Sequence, residues 1–193
     1  MARPKEFDQN EALQKAMEVF WSRGYEAASI RDLVGHMGIN RQSLYDTFGD
    51  KHALYLQTLD RYREVETRKL FELLERAGSV RRALRQIFAD VVKGSLCQGQ
   101  RRGCLMGNAM SELAGRCEAT AAKTSSTMAA VEGAFYRALL RGKSNGELKE
   151  VRDPRAVARF LCSSLQGLVL MAKATPGHKA LEDVVRITLS VIE

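Results

Sequence analysis

Proline is scarce, with only three in 193 residues, and this suits long uninterrupted helices. No apolar run approaches the ~20 residues of a membrane span, so no contact with a bilayer is predicted. Cysteine is sparse: Cys97, Cys104, Cys117 and Cys162 never form a C-x-x-C pair. The first ten residues are charged where a secretory signal would be apolar. Together these features predict a cytoplasmic protein with reduced thiols and no disulfide framework. His36, His52 and His178 are scattered without metal-ligand spacing, so no metal and no cofactor are expected, and the histidines are read as surface or capping residues. The chain also lacks G-x-S-x-G, G-x-x-x-x-G-K, H-E-x-x-H and any G-x-G-x-x-G following a strand. No enzyme class is indicated.

The length fits one mid-sized domain, or a small domain fused to a larger one. Apolar residues make up 45% and charged residues 27%, an ordinary globular mix that can bury a core without metals or disulfides. The net charge of +7 and pI near 9.4 favour polyanionic partners. The charge is unevenly placed, however. Residues 1–50 hold six Lys/Arg against eight Asp/Glu, and the basic excess lies in residues 51–193. Charge alone therefore does not point to DNA. No helix combines a basic face with a broad apolar one, which argues against a membrane-surface role.

Apolar spacing predicts an all-α fold. Leu13, Ala16, Met17 and Phe20 recur at helical spacing over residues 10–23, with Gly24 just past the end. Ser29 and Asp32 form a capping-box pattern opening a helix to Met37, whose apolar face is Ile30, Leu33, Val34 and Met37. Gly38 breaks it. Asn40 is a good N-cap for a short helix to Thr47, with Leu44 and Phe48 directed inward. A long helix is predicted from Lys51 to Ala77. It is wet in its middle, between Glu64 and Lys69, as expected of a bridge between two cores. The domain boundary is accordingly placed near residue 66, giving units 1–66 and 67–193. Further helices are predicted from Gly78-Ser79 to Cys97, Leu105 to Ala114, Ala119 to Arg141, Pro154 to Ala174 and His178 to Ile192. Residues 98–103 and 142–151 read as loops, and Pro176-Gly177 as a break.

Two short helices joined by a glycine turn, behind a supporting helix, make a helix-turn-helix. The second helix must present a polar outer face to a major groove ~12 Å wide. The candidate DNA-contacting set is Ser29, Arg31, Asn40, Arg41, Gln42, Ser43, Tyr45, Asp46 and Lys51. Arg41 suits guanine or phosphate, and Gln42 suits an adenine edge. The Ser29 and Tyr45 hydroxyls and the Lys51 ammonium suit phosphates. Lys51 also begins a helix, whose first amides favour anions.

The stretch AMEVFWSRGYEAASIRDLVGHMGINRQSLYDTFGDKHALY, residues 16–55, closely resembles the DNA-binding domain of the TetR/AcrR family of bacterial repressors. The likeness rests on the spacing of Phe20, Gly24, Ser29, Gly38, Leu44, Tyr45, Phe48 and Lys51. Beyond about residue 59 it extends only to helix layout. Two positions depart from the common pattern: Gln42 replaces a frequent glycine, and Asp46 a frequent histidine or aromatic. Asp46 would repel phosphate unless it takes a cytosine amino group or pairs with Arg41. The resemblance implies a homodimer on palindromic double-stranded DNA and an effector pocket in the C-terminal domain. For the dimer face, the 154–174 helix offers Val157, Leu161, Leu165, Leu168 and Met171, with Ser164 and Gly167 allowing close approach and the 119–141 helix as partner. The same stripe also fits an ordinary core.

Cys104 follows Arg101-Arg102-Gly103 and opens a helix, two features that favour a reactive thiolate. GCLMGNAMSELAGRC, residues 103–117, resembles a branch of the family that senses electrophiles or oxidants through a cysteine at this point. Cys104 is thus a candidate sensor, with Cys117 as resolving partner. The alternative is a structural core cysteine. Met106 and Met110 are expected in the core, Trp21 under the helix-turn-helix, and Arg81, Arg82 and Arg85 on a solvated face. The expected function is a repressor released from a palindromic operator by a small-molecule or thiol-reactive effector. An activator, a constitutive DNA-binding protein without a ligand and a helical enzyme are the alternatives.

Overall fold

The computed structural model describes residues 7–96, 102–174 and 177–193, and among them every regular element is helical. Cys97, residues 98–101 of the expected polar loop and Pro176 lie outside the described residues. The helices are α1 (Gln9–Arg23), α2 (Ile30–Met37), α3 (Arg41–Phe48), α4 (Lys51–Tyr62), α5 (Arg68–Arg76), α6 (Val80–Leu96), α7 (Leu105–Glu112), α8 (Glu118–Ser144), α9 (Pro154–Ala174) and α10 (His178–Leu189). A 3-10 turn, Ser190–Ile192, follows α10.

Local chemistry explains the first four boundaries. The Asp8 carboxylate accepts from the amides of Asn10 and Glu11 and opens α1. Ser29 and Asp32 complete a reciprocal capping box at α2, satisfying donors that a helix start otherwise leaves unpaired. Asn40 and Asp50 cap α3 and α4 through the amides of Ser43 and Ala53. Gly38 ends α2 in the left-handed conformation, at φ 72 and ψ 28, which only glycine adopts without steric cost.

The bridge expected from Lys51 to Ala77 is not one regular helix. A π-helical turn, Arg63–Thr67, joins α4 to α5, in the polar stretch where no apolar stripe enforces the α-helical register. Such turns concentrate at functional sites.

Two apolar cores organise the chain. One runs from Leu74 through α6, α8, α9 and α10, with Leu84, Phe88, Phe135 and Leu161 fully buried. The other gathers α1 to α4 around Phe20, Leu33, Leu44 and Tyr55, and it also takes Leu105, Met106 and Ala109 of α7 and Leu113 just past its end. A helix from the second half of the sequence thus completes the core of the first half. α8 and α9 pack along each other, and α1 lies against α2 and α4.

Several side chains sit elsewhere than expected. Leu161, Leu165 and Leu168 are in the core, at 0%, 6% and 1% exposure, so they are not a face for another subunit. α9 instead exposes Phe160 and Leu170, together with Met171 of the expected stripe; α10 exposes Ile187, and the 3-10 turn after it exposes Val191. An apolar residue on both sides makes α9 long and apolar enough to cross a membrane by length and composition, at mean hydropathy 1.2, although its buried side belongs to the C-terminal core. Met106 is in the core as expected, whereas Met110 is exposed.

Candidate nucleic-acid interface

Leu44 and Phe48 tie α3 to the first core, and this fixes which side of α3 faces outward. Arg41, Gln42, Tyr45 and Asp46 are exposed there, and Ser43 is half-buried. These side chains are paired before any ligand arrives. The Gln42 Nε2 donates to Asp46 Oδ1 at 2.8 Å. The Arg41 Nη2 donates to the Tyr45 hydroxyl at 3.4 Å, with its guanidinium 5.6 Å from the ring centroid. Asp46 therefore engages Gln42 and not Arg41. One amide hydrogen of Gln42 is held by Asp46, while its carbonyl and second hydrogen can still meet an adenine edge, which needs one acceptor and one donor.

The other candidates take supporting positions. The Ser29 hydroxyl donates to Asp32 Oδ2 at 2.6 Å, so its proton serves the capping box. Arg23 also reaches Asp32, at 2.7 Å. The Ser29 hydrogen bonds, aided by Arg23, hold the Asp32 carboxyl below its ordinary range. Asn40 spends its side-chain oxygen on the Ser43 amide at 2.8 Å. Arg31 is exposed on α2. Lys51 lies over the Tyr25 ring, 4.5 Å from its centroid, and donates to the Glu26 carbonyl at 3.4 Å.

The seam between the two cores carries contacts that sequence reading missed. The Trp21 Nε1 donates to the Gly103 carbonyl at 2.9 Å, and its ring meets Tyr62 edge-on at 5.0 Å. Trp21 thus belongs to this seam and not to the underside of the helix-turn-helix. The Glu112 carboxylate at the end of α7 accepts from the amides of Tyr25 and Glu26. Gly24, at φ 81, makes room for it: a Cβ there would stand 3.0 Å from Glu112 Oε2.

Both described candidate sensor thiols are half-buried at this seam. Cys104 precedes α7 and faces Tyr62, whose hydroxyl burial keeps protonated well above its ordinary range. Cys117 precedes α8, and its Sγ lies 3.1 Å from His52 Nε2 and 3.3 Å from the Thr120 hydroxyl. Hydrogen bonds from Thr120 and then His52 bring the Cys117 thiol down to about 7. His52 and Tyr62 are ten residues apart on α4, so the thiols contact points separated by ~15 Å of helix. α7 also stands between them. A direct disulfide needs Cα atoms within ~7 Å, which this arrangement does not favour. His52, expected at the surface or in a cap, is a thiol partner. Cys162 is pushed up by burial.

A cavity of about 700 Å³ opens beside the seam, walled by Trp21, Tyr62, Glu66, Cys104, Gln166 and Lys173 among others. That is within the range of small-molecule sites. It touches the π turn at Glu66 and Thr67, and so contacts both cores.

Comparison with known proteins agrees with this architecture. Residues 12–58 match the family model of bacterial regulatory proteins of the tetR family, and residues 79–188 match the tetracyclin repressor-like C-terminal domain. An uncharacterized HTH-type transcriptional regulator of Bacillus subtilis, YezE, is 39% identical over the whole of both chains. The HTH-type transcriptional repressor ComR of Escherichia coli is 31% identical over 97% of this chain and 90% of its own. Among solved structures, a cysteine mutant of the TetR family regulator CifR, complexed with 26-bp double-strand operator DNA, superposes with a TM-score of 0.84 at 31% identity over the whole of both chains. The helix-turn-helix at the amino end and the helical domain that follows are those of a transcriptional regulator and not of an enzyme, and the chain belongs to the TetR family.

Proposed function

We propose that the protein is a cytoplasmic, homodimeric repressor that binds a palindromic double-stranded operator and leaves it when an effector, small-molecule or thiol-reactive, acts at the seam between the cores. The observation that carries this reading is the outer face of α3. Four exposed polar side chains stand on a helix anchored from behind by Leu44 and Phe48, a form that fits the major groove. Arg41 and Gln42 read base edges, with Asp46 orienting Gln42. Tyr45, Ser43, Arg31 and Lys51 hold the phosphate backbone, and Ser29 and Asn40 set the two helix starts. That CifR, a relative of similar length, is complexed with operator DNA, and that ComR is a repressor, support the same reading.

A second copy suits the apolar faces of α9, α10 and the turn after α10, where Phe160, Leu170, Met171, Ile187 and Val191 are exposed. Two helices from each subunit would then form a bundle. The two α3 helices would enter successive major grooves ~34–36 Å apart. We place the boundary between reading head and effector domain at the π turn near residue 66, with α7 reaching back across it. An effector in the cavity beside Cys104 releases DNA by binding better to a dimer whose α3 helices have the wrong separation.

The test is binding to the DNA upstream of the protein's own gene, measured against salt. A preference for one palindrome over shuffled DNA of the same composition, with affinity falling steeply as salt rises, is expected. Equal affinity for both sequences overturns the reading.

A further inference from the structure

We infer that Cys117, paired with His52, is the reacting thiol of this regulator, and that addition of a soft carbon electrophile such as an α,β-unsaturated carbonyl at Cys117 is read directly by the start of α4. The release of DNA in this scheme rests on the repressor reading above, whereas the chemistry at Cys117 does not.

The pair is assembled from distant parts of the chain. Cys117 stands at the N-cap position of the 27-residue α8. His52 is the second residue of α4, and the two atoms meet at 3.1 Å although 65 residues separate them. Thr120 adds a hydroxyl donor at 3.3 Å. A thiolate here faces an imidazole, a hydroxyl and the first turn of a long helix, each of which favours negative charge on sulfur. Ionisable groups near the pair include Tyr25, Glu26 and Asp50, Lys51 over the Tyr25 ring, Glu112 on the Tyr25 amide, and Arg116 and Glu118 on either side of Cys117. Burial first, then the charges of Glu26, Asp50 and Cys117, keep Tyr25 protonated. Cys104, by contrast, faces a buried Tyr62, a neighbour that supplies no base.

The reaction balances without an oxidant. The Cys117 proton passes to His52 Nε2, leaving thiolate and imidazolium. The sulfur attacks the β-carbon of the acceptor, and an S–C bond forms as the C=C π pair moves to give an enolate. The imidazolium returns the proton to the α-carbon, so the net change is addition of S–H across the double bond and His52 ends neutral.

The position makes the adduct legible to the DNA-reading helix. Lys51, adjacent to His52, lies over Tyr25, and the Tyr25 ring meets the His52 ring at 6.1 Å. Only Gly49 and Asp50 separate α3 from α4. An adduct on this half-buried sulfur breaks into its 3.1 Å contact with His52, and movement of His52 acts on the α3–α4 corner.

The experiment treats the reduced full-length protein with limiting N-ethylmaleimide between pH 6 and 9, maps the adducts by peptide mass, and measures operator affinity of the same samples by anisotropy. Cys117 is expected to label first, its rate rising with a midpoint near 7. His52→Gln should move that midpoint upward and slow labelling at pH 7 by about threefold or more, part of the loss of thiolate being offset by the greater intrinsic nucleophilicity of a more basic sulfur. Labelled protein should bind the operator at least ~10-fold more weakly, a change of ~1.4 kcal/mol. Cys117→Ser should bind normally and ignore the reagent. Circular dichroism melting shows whether His52→Gln is folded, and Thr120→Val provides an independent route to the same midpoint shift. First labelling at Cys97, Cys104 or Cys162 overturns the assignment, as does a Cys117 midpoint unmoved by either variant. A Cys117 adduct that leaves operator affinity unchanged overturns the switch. Unlabelled protein that binds no upstream DNA instead overturns the repressor reading, and the labelling pattern still judges the thiol.

Discussion

The carboxylate of Glu112, the last residue of α7, accepts hydrogen bonds from the backbone amide of Tyr25 at 2.9 Å and from that of Glu26 at 2.8 Å. These residues close the turn between α1 and α2, so the reading head is tied to a helix encoded nearly ninety residues later. With Trp21 bonded to Gly103, α7 is held at both ends against the head. It links the cavity, which Met106 lines, to the turn that leads into α2.

Glu112→Ala leaves two amides without their charged acceptor. The expected loss is about 1–3 kcal/mol of stability, the range for hydrogen bonds to charged groups and unsatisfied donors. Urea unfolding should show it as a lower midpoint at unchanged slope. An unchanged midpoint means that water replaces the carboxylate at no cost.

On α3 the expected effects divide by role. Gln42→Ala should cost about 1–3 kcal/mol against the preferred operator and relax the preference at one base pair. Asp46→Ala should weaken that same preference, because Gln42 loses the partner at 2.8 Å that orients it. Lys51→Ala should weaken all sequences alike and lower the slope of log affinity against log salt by about 1. Anisotropy titrations over a set of single-base operator variants separate these outcomes. A sequence-independent loss for Gln42→Ala would remove it from base reading.

Leu170→Asp and Ile187→Asp change side chains that are 64% and 57% exposed, so the isolated subunit should fold as before. If α9 and α10 form the dimer face, each buries a charge in an apolar interface. Sedimentation should then report a monomer, and operator affinity should collapse because one subunit holds a single half-site. A dimer unaffected by both changes places the interface elsewhere.

The capping box gives a pH-dependent term of known sign. The Asp32 carboxyl is held below its ordinary value by the Ser29 hydrogen bonds and by Arg23. Its contribution is complete above the ordinary carboxylate range and is lost as pH falls through the lowered value. Wild type and Asp32→Asn should therefore differ in melting temperature at neutral pH and converge in strong acid. A constant difference down to pH 2 would show that the charge is not the source.

The helix-turn-helix was legible because its determinants are local. Ser29, Asn40, Gly24 and Gly38 each act within four residues, and the spacing of Leu44 and Phe48 fixes the inward side of α3. What was not legible depends on long-range contact or on a choice between two equivalent patterns. No periodicity relates His52 to Cys117, or Glu112 to Tyr25. α9 is apolar on two sides, so spacing alone could not tell that Leu161, Leu165 and Leu168 enter the core while Phe160 and Leu170 face outward. The π turn at Arg63–Thr67 lies in the polar stretch that marked the bridge, yet a polar stretch carries no signal of register. The pairing of Asp46 with Gln42 was missed for a related reason, since two polar residues four apart on a helix have several available partners.

The most direct measurement is an anisotropy titration of the purified protein against its own upstream DNA at fixed salt, made once with the thiols reduced and once after a mild electrophile. Tight, sequence-selective binding by the reduced protein, and its loss after treatment, are the expected results. Binding that survives treatment at full strength contradicts thiol-triggered release, and the absence of selective binding by the reduced protein contradicts operator recognition by α3.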